Sequence, residues 1–192
     1  MKHFVALSFQ AHGLHYQKVH SFKKRFDIKY FEIPELHLPL LPPFNLKNEK
    51  SFLEDMKDSI ENQFFGDNKL KISFKDLKCI SGKRQSIFLV PKIPEQIMYC
   101  QESFYEIINE YNGSFLRNGK KNMLFQSFLP LARFDHSEIF MDIYHLAKEE
   151  IEFPLYLFAS EFKLFTKVNS KNYYTKTLFK FDKQNGFLNL MA

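Results

Sequence analysis

The sequence predicts an α+β protein built on antiparallel sheets, and three observations carry that expectation. Short stretches of alternating apolar residues are interspersed with longer ones whose apolar residues recur every third or fourth position. Several of the strand-like stretches follow one another across turns, as hairpins do, and leave few parallel crossovers. The tripeptide Leu-Pro-Leu occurs at 38–40 and again at 129–131, 91 residues apart in a chain of 192. A residue and its second neighbour on a strand share a face, so His37 lies with Pro39 and Phe128 with Pro130. Halves packed about a pseudo-two-fold axis would bring the two segments together across a shared cleft.

The elements follow in order. Residues 2–9 alternate and read as a strand. A helix over 15–26 places Val19, Phe22 and Phe26 on one side and Lys18, Lys23 and Lys24 on the other. A second strand over 33–40 ends at Pro42-Pro43. A helix over 50–64 repeats Phe52, Met56, Ile60 and Phe64 every fourth residue, with Leu53 widening the stripe. Strands are expected over 69–74 and 85–90, with a short third around 77–80; the Ser81-Gly82-Lys83 turn leads into the second of them. Pro94 opens a helix to about Tyr111 with Ile97, Cys100, Phe104, Ile107 and Ile108 on one face, and Asn112-Gly113 stops it. An extended stretch over 114–116, a basic turn over 117–121 and a strand over 124–134 come next. Asp135 and Glu138 have capping-box spacing for a helix to about Glu150. Two strands, over 155–164 and 173–181, end the pattern.

Composition bounds the rest. The chain of 192 residues and 23.0 kDa is 45% apolar, enough for one domain or two small lobes sharing a core. The formal charge of +5 favours encounters with anions, nucleic acids among them, although 23 of the 27 basic residues are lysines scattered along the sequence. Cys79 and Cys100 make neither a metal signature nor a disulfide framework and suit a reducing compartment. No apolar run is long enough for a signal peptide or a membrane span, so a cytoplasmic protein is expected. His12 and His15 have H-x-x-H spacing, but Gly13 lies between them and no third ligand is evident. No metal and no cofactor are expected, and no phosphate loop, nucleophilic triad or dinucleotide fingerprint is present.

The segment IPELHLPLLPPF (33–44) resembles the first signature of the 2H phosphoesterases, the superfamily of 2'-5' RNA ligase-like proteins and cyclic phosphodiesterases. That signature is His-x-Thr-x, often within PHITLLPPF. FLPLARF (128–134) resembles the second, commonly HVTLARF. The approach to the first motif (21–37) and the ending over 155–181, with Ser160 and Tyr174 at the positions of the usual Ser and Tyr, agree as well. The resemblance spans nearly the full length. It implies a single bilobal domain, 1–192, of two pseudo-symmetric α+β halves around a central cleft, with the motif segments at 33–44 and 124–134.

The departures decide the expected chemistry. Of four signature side chains only His37 survives; Pro39 stands for the first Thr, Phe128 for the second His and Pro130 for the second Thr. Hydrolysis of a cyclic phosphate needs one group to deprotonate water and another to protonate the leaving oxygen, tasks two imidazoles share near neutral pH. Phe128 transfers no proton. Proline has neither a hydroxyl nor a backbone N–H to offer a phosphate oxygen, a loss of about 10²–10³-fold for one such donor.

The resemblance therefore implies a 2H phosphoesterase-like protein with a degenerate site, catalytically impaired and binding a nucleotide or RNA end, monomeric and away from membranes. His37 is either a remnant catalytic imidazole or a plain cleft-lining residue. Phe128 stacks on a base or fills the vacated space. Arg133 pairs with a phosphate or with a surface carboxylate, and Tyr174 is equally open. His136, eight residues past Phe128, is a poor stand-in for the missing His. Two alternatives stand beside this reading: an active 2',3'-cyclic or 2'-5' phosphodiesterase using His37 with an unidentified partner, and a protein-interaction module on the same scaffold.

Overall fold

The computed structural model describes residues 2–46, 50–65, 69–82, 84–111, 113–115, 125–135, 137–169 and 172–181. The elements run β1 (Lys2–Phe9), α1 (Leu14–Phe26), β2 (His37–Pro39), β3 (Phe44–Asn45), α2 (Lys50–Phe64), β4 (Lys71–Ile80), β5 (Gln85–Lys92), α3 (Glu95–Glu110), β6 (Ser114–Phe115), β7 (Leu129–Phe134), α4 (Phe140–Glu150), β8 (Leu155–Lys167) and β9 (Tyr173–Lys180). Every strand pairing is antiparallel, as the hairpin-rich pattern predicts.

The pairings repeat. β1 pairs with β2 on one side and with β8 on the other. β5 pairs with β7 on one side and with β4 on the other. The run β1-α1-β2-α2-β4 thus matches β5-α3-β7-α4-β8, and each run lends its last strand to the sheet of the other. β4 and β8 pair with each other through Lys71–Phe74 and Leu155–Phe158, which joins the two sheets. The helices follow the same exchange: α1 packs on α4 and on β7, while α2 packs on α3.

One large core fills the helix side of both sheets. Val5, Leu7 and Phe9 of β1, Ile87 and Leu89 of β5, and Leu129 and Leu131 of β7 point into it. A smaller cluster lies on the other face of β1, where Ala6, Phe165 and Ile33 pack with Phe4 and Tyr173. β1 is buried on both faces, which is why five consecutive residues from Val5 to Phe9 are all buried.

Several boundaries differ from the sequence expectation. The strand over 33–40 shrinks to His37–Pro39, because the carbonyls of Ile33 and Glu35 turn to accept from Lys23 rather than a neighbouring strand. The two short strands over 69–80 are one strand interrupted by a bulge between Phe74 and Asp76. β7 starts at Leu129, and Leu124 lies outside the described residues. α4 starts at Phe140 after a turn closed from its N–H to the Ser137 carbonyl, so Asp135 and Glu138 make no capping box there. Pro94 is the N-cap of α3 and Glu95 its first helical residue. The basic turn over 117–121 and His136 also lie outside the described residues.

Candidate functional site

The two motif strands meet as the repeat predicts. β2 and β7 are the last strands at their edges of the two sheets, and they approach each other. The N–H of Leu40 donates to the Val5 carbonyl at 2.9 Å, so alternate positions on β2 face β1 and Pro39, opposite Ala6, turns its donorless nitrogen to the open edge. Pro130 sits opposite Phe88 on the other edge strand, beside a bulge that absorbs its missing bond. Both prolines thus stand where a sheet tolerates them.

His37 lies opposite Ser8, on the face that carries Phe4, Ala6 and Phe165. The residue is 3% exposed. Its ring lies 6.0 Å from that of Phe4 and 5.7 Å from that of Phe165, which stack on each other at 4.6 Å. Nδ1 and the Glu35 carbonyl are 3.1 Å apart, which makes Nδ1 the protonated nitrogen of the neutral ring. Burial, with Lys23 next and Arg133 adding a little, pushes the imidazole down to about 3. An imidazole in this state is neutral through the physiological range. It is sealed from the water it would have to deprotonate.

A cover, the run from Asp27 to Leu36, leads into β2 and packs through Ile33 on the aromatic cluster that His37 also touches. Ile33, 6% exposed, inserts against Ala6 and Phe165. Lys23 holds this run from beneath: its Nζ donates to the carbonyls of Ile33 at 2.7 Å and Glu35 at 2.9 Å. Lys23 is completely buried, and burial draws its ammonium down to about 8, helped by Arg133 and opposed by Asp27 and Glu35. The Glu35 carboxylate accepts from Lys163 at 2.8 Å, and Lys163 also reaches Glu161 at 3.1 Å. Lys163 is thus held between two carboxylates.

Arg133 pairs with the first residue of the same run. Its Nε and Nη2 donate to Asp27 Oδ1 and Oδ2 at 3.0 and 2.7 Å, and the Asp27 carboxylate is fully buried. The carboxylate that Arg133 meets is thus buried, not one at the surface. The pair anchors the start of the cover to the second motif strand, since the N–H of Ile28 donates to the Arg133 carbonyl at 3.2 Å.

Phe128 is placed elsewhere. It is half-buried beside Phe88, ring centroids 5.9 Å apart, with Lys78 Nζ 4.6 Å from its centroid. It borders a cavity of about 420 Å³ with Phe125, Met98 and Val90. Gln101 on α3 ties this corner together: Nε2 donates to the Leu40 carbonyl at 2.7 Å and to Ser127 Oγ at 3.0 Å. The structure thus brings the two motif strands together but sets His37 and Phe128 in different surroundings, one sealed and one lining a cavity.

Tyr174 is 62% exposed. Its neighbour Tyr173 points the other way, packs on Phe4 at 5.8 Å and lines a cavity of about 300 Å³ with Lys167, Arg84 and Arg133. His15 accepts the N–H of Tyr156 on Nδ1 at 3.2 Å. Among the described residues no group of three or more His, Cys, Asp or Glu could hold a metal ion, and no helix is long and apolar enough to cross a membrane.

Solved structures share this architecture. A phosphoesterase superposes with a TM-score of 0.52 at 12% identity, over 93% of this chain and 95% of its own. Usb1 from Kluyveromyces marxianus does so with a TM-score of 0.52 at 12% identity, over 92% of this chain and 97% of its own. The structure of the same Usb1 with uridine monophosphate gives 0.50 at 14% identity, over 92% and 97%. No family model matches the sequence, and no curated protein matches it. The chain has the α+β fold of these structures over more than nine-tenths of its length.

Proposed function

We propose that this protein is a 2H phosphoesterase-fold protein whose active site has degenerated, and that it binds a nucleotide or RNA end without turning it over. It works as a cytoplasmic monomer, one bilobal unit needing neither metal nor cofactor. The observation that carries this reading is the state of His37: 3% exposed, packed against two stacked phenylalanines, with Nδ1 committed to a backbone carbonyl. The opposite motif strand offers Phe128 and Pro130, so neither of the two proton transfers has a group to perform it.

Binding is supported by different observations. The net charge of +5 favours phosphate-bearing partners, two cavities remain along the motif strands, and the Usb1 of like fold was solved with uridine monophosphate. The test measures hydrolysis of a 2',3'-cyclic nucleotide and a 2'-5'-linked dinucleotide by wild type and His37→Ala, together with calorimetric titration of uridine monophosphate. The expected result is no turnover above background by either protein and saturable binding by wild type. Hydrolysis that disappears in His37→Ala would overturn the degenerate site, and absence of binding would overturn the ligand.

A further inference from the structure

We infer that the end of the cleft between Arg84 and Lys167 holds a phosphate monoester, at a place displaced from both His37 and Phe128. The inference rests on the proposed reading that the cleft takes a nucleotide or RNA end, and it names the group of that ligand which is held there. The cavity, about 300 Å³, is at the small end of ligand sites, suited to a terminal phosphate and part of what carries it. It is built where the two sheets converge: Ser86 is opposite Arg133 across β5 and β7, and Lys167 is opposite Tyr173 across β8 and β9.

Its charges are unevenly matched. Lys29 and Arg133 line it, but Lys29 is bound to Glu32 at 2.8 Å and Arg133 to the buried Asp27 at 2.7 Å. Those pairs fix the walls and leave Arg84 and Lys167 facing the cavity with Asp135 as the remaining lining acid. Lys167 is positioned by Tyr173, its Nζ 5.4 Å from the ring centroid. Ser86 on the same wall adds a hydroxyl, a neutral donor. Two cations and a hydroxyl suit a dianion with three acceptor oxygens better than a singly charged carboxylate or diester. Tyr173 and Phe134 give the wall an apolar part for the attached nucleoside.

The test is calorimetric binding of inorganic phosphate and of one ribotrinucleotide with and without a 3'-terminal phosphate. Wild type, the Arg84→Ala/Lys167→Ala double variant and Asp135→Asn are compared, and thermal melts confirm that each folds. In wild type the terminal phosphate is expected to tighten binding by about tenfold or more, the worth of one charge-assisted hydrogen bond. The double variant loses that gain, and Asp135→Asn enlarges it. Equal binding of the two trinucleotides to wild type overturns the phosphate site and leaves the cleft reading standing. A phosphate gain that survives in the double variant places the phosphate elsewhere and overturns this assignment. Phosphate binding that needs Arg84 and Lys167, without binding of either trinucleotide, keeps the anion site and overturns the nucleotide reading. No binding of any probe to wild type overturns both.

Discussion

Lys23 on α1 and Gln101 on α3 each tie down the chain that leads into a motif strand. Each is buried on the helix that precedes a motif strand, and each donates to the irregular run leading into that strand. Lys23 reaches Ile33 and Glu35 ahead of His37; Gln101 reaches Ser127 ahead of Phe128 and the Leu40 carbonyl of the other motif. A run without a strand neighbour must find donors for its carbonyls somewhere, and each helix supplies one side chain for that task. The donor is charged in one half and neutral in the other. That difference sets the behaviour of the two halves apart.

Lys23→Met keeps the apolar stem and removes the donor. It is expected to destabilise the protein by ~1–3 kcal/mol at pH 7, the usual cost of stranding buried acceptors. Lys23 sits at about 8 in the fold against 10.5 in the open chain. Between those values the unfolded chain holds the proton and the folded one does not, so this residue makes stability rise with pH across that window. The stability gap between wild type and Lys23→Met should therefore widen from pH 7.5 to pH 10 in urea titrations. A gap independent of pH would show that Lys23 is not buried as described.

Gln101→Leu leaves the Leu40 carbonyl and the Ser127 hydroxyl without their donor. The expected cost is ~1–3 kcal/mol. Because Gln101 carries no charge, that cost should be flat between pH 6 and pH 9, unlike the Lys23 effect. A slope equal to that of Lys23→Met would contradict the separation drawn between the two halves.

Arg133→Ala strands the fully buried Asp27 carboxylate. Breaking a buried pair from one side costs ~3–5 kcal/mol, while removing both partners costs much less than the sum. The double-mutant cycle with Asp27→Asn should return a coupling of ~1–3 kcal/mol. Additive single effects would mean that the pair does not hold the cover against β7.

Much of the fold was legible because it depends on patterns that repeat. Phe52, Met56, Ile60 and Phe64 mark α2, whose bounds, Lys50–Phe64, are those the four-residue spacing predicts. The two Leu-Pro-Leu copies mark the strands that meet. The site was less legible because it depends on which lysine and which tyrosine turn inward. Lys23 reads as one of three consecutive basic residues with Lys24 and Arg25 and was assigned to the polar side of its helix. It is buried with Tyr16 and Val19, seven and four residues earlier, and lies four residues before Asp27. That spacing was the available signal. Tyr173 and Tyr174 differ by one position on a strand, so the face each takes depends on a register that no local pattern fixes.

His37 gives the stability a second pH dependence, opposite in location to that of Lys23. The imidazole is held at about 3 in the fold and returns to about 6.5 in the open chain. Below the higher value the unfolded chain takes up a proton that the folded one refuses. The contribution is complete above pH 6.5 and is lost as pH falls toward 3, by several kcal/mol in all, at ~1.4 kcal/mol per unit. His37→Phe, which suits the aromatic surroundings, should lose less stability than wild type between pH 7 and pH 4.5. Parallel loss in the two proteins would show that His37 is reached by solvent.

Phe128→His places an imidazole where the resembling 2H signature has its second His, and it is the sharpest test of the proposed degenerate site. If the missing His were the sole defect, this change would bring back hydrolysis of 2',3'-cyclic nucleotides. The surroundings argue against that outcome. His37 is buried against the stacked Phe4 and Phe165, on the face where Ile33 also packs, and the two prolines give a phosphate neither a hydroxyl nor an N–H. Phe128→His is therefore expected to show no turnover above background, alone or combined with Pro39→Thr and Pro130→Thr, as long as the run from Asp27 to Leu36 covers His37. Adding Ile33→Ala and Lys23→Met to that triple variant loosens the cover, and only then should slow hydrolysis emerge. Turnover by Phe128→His alone, abolished by His37→Ala, would show instead that the cover opens readily and that degeneration amounts to one lost imidazole.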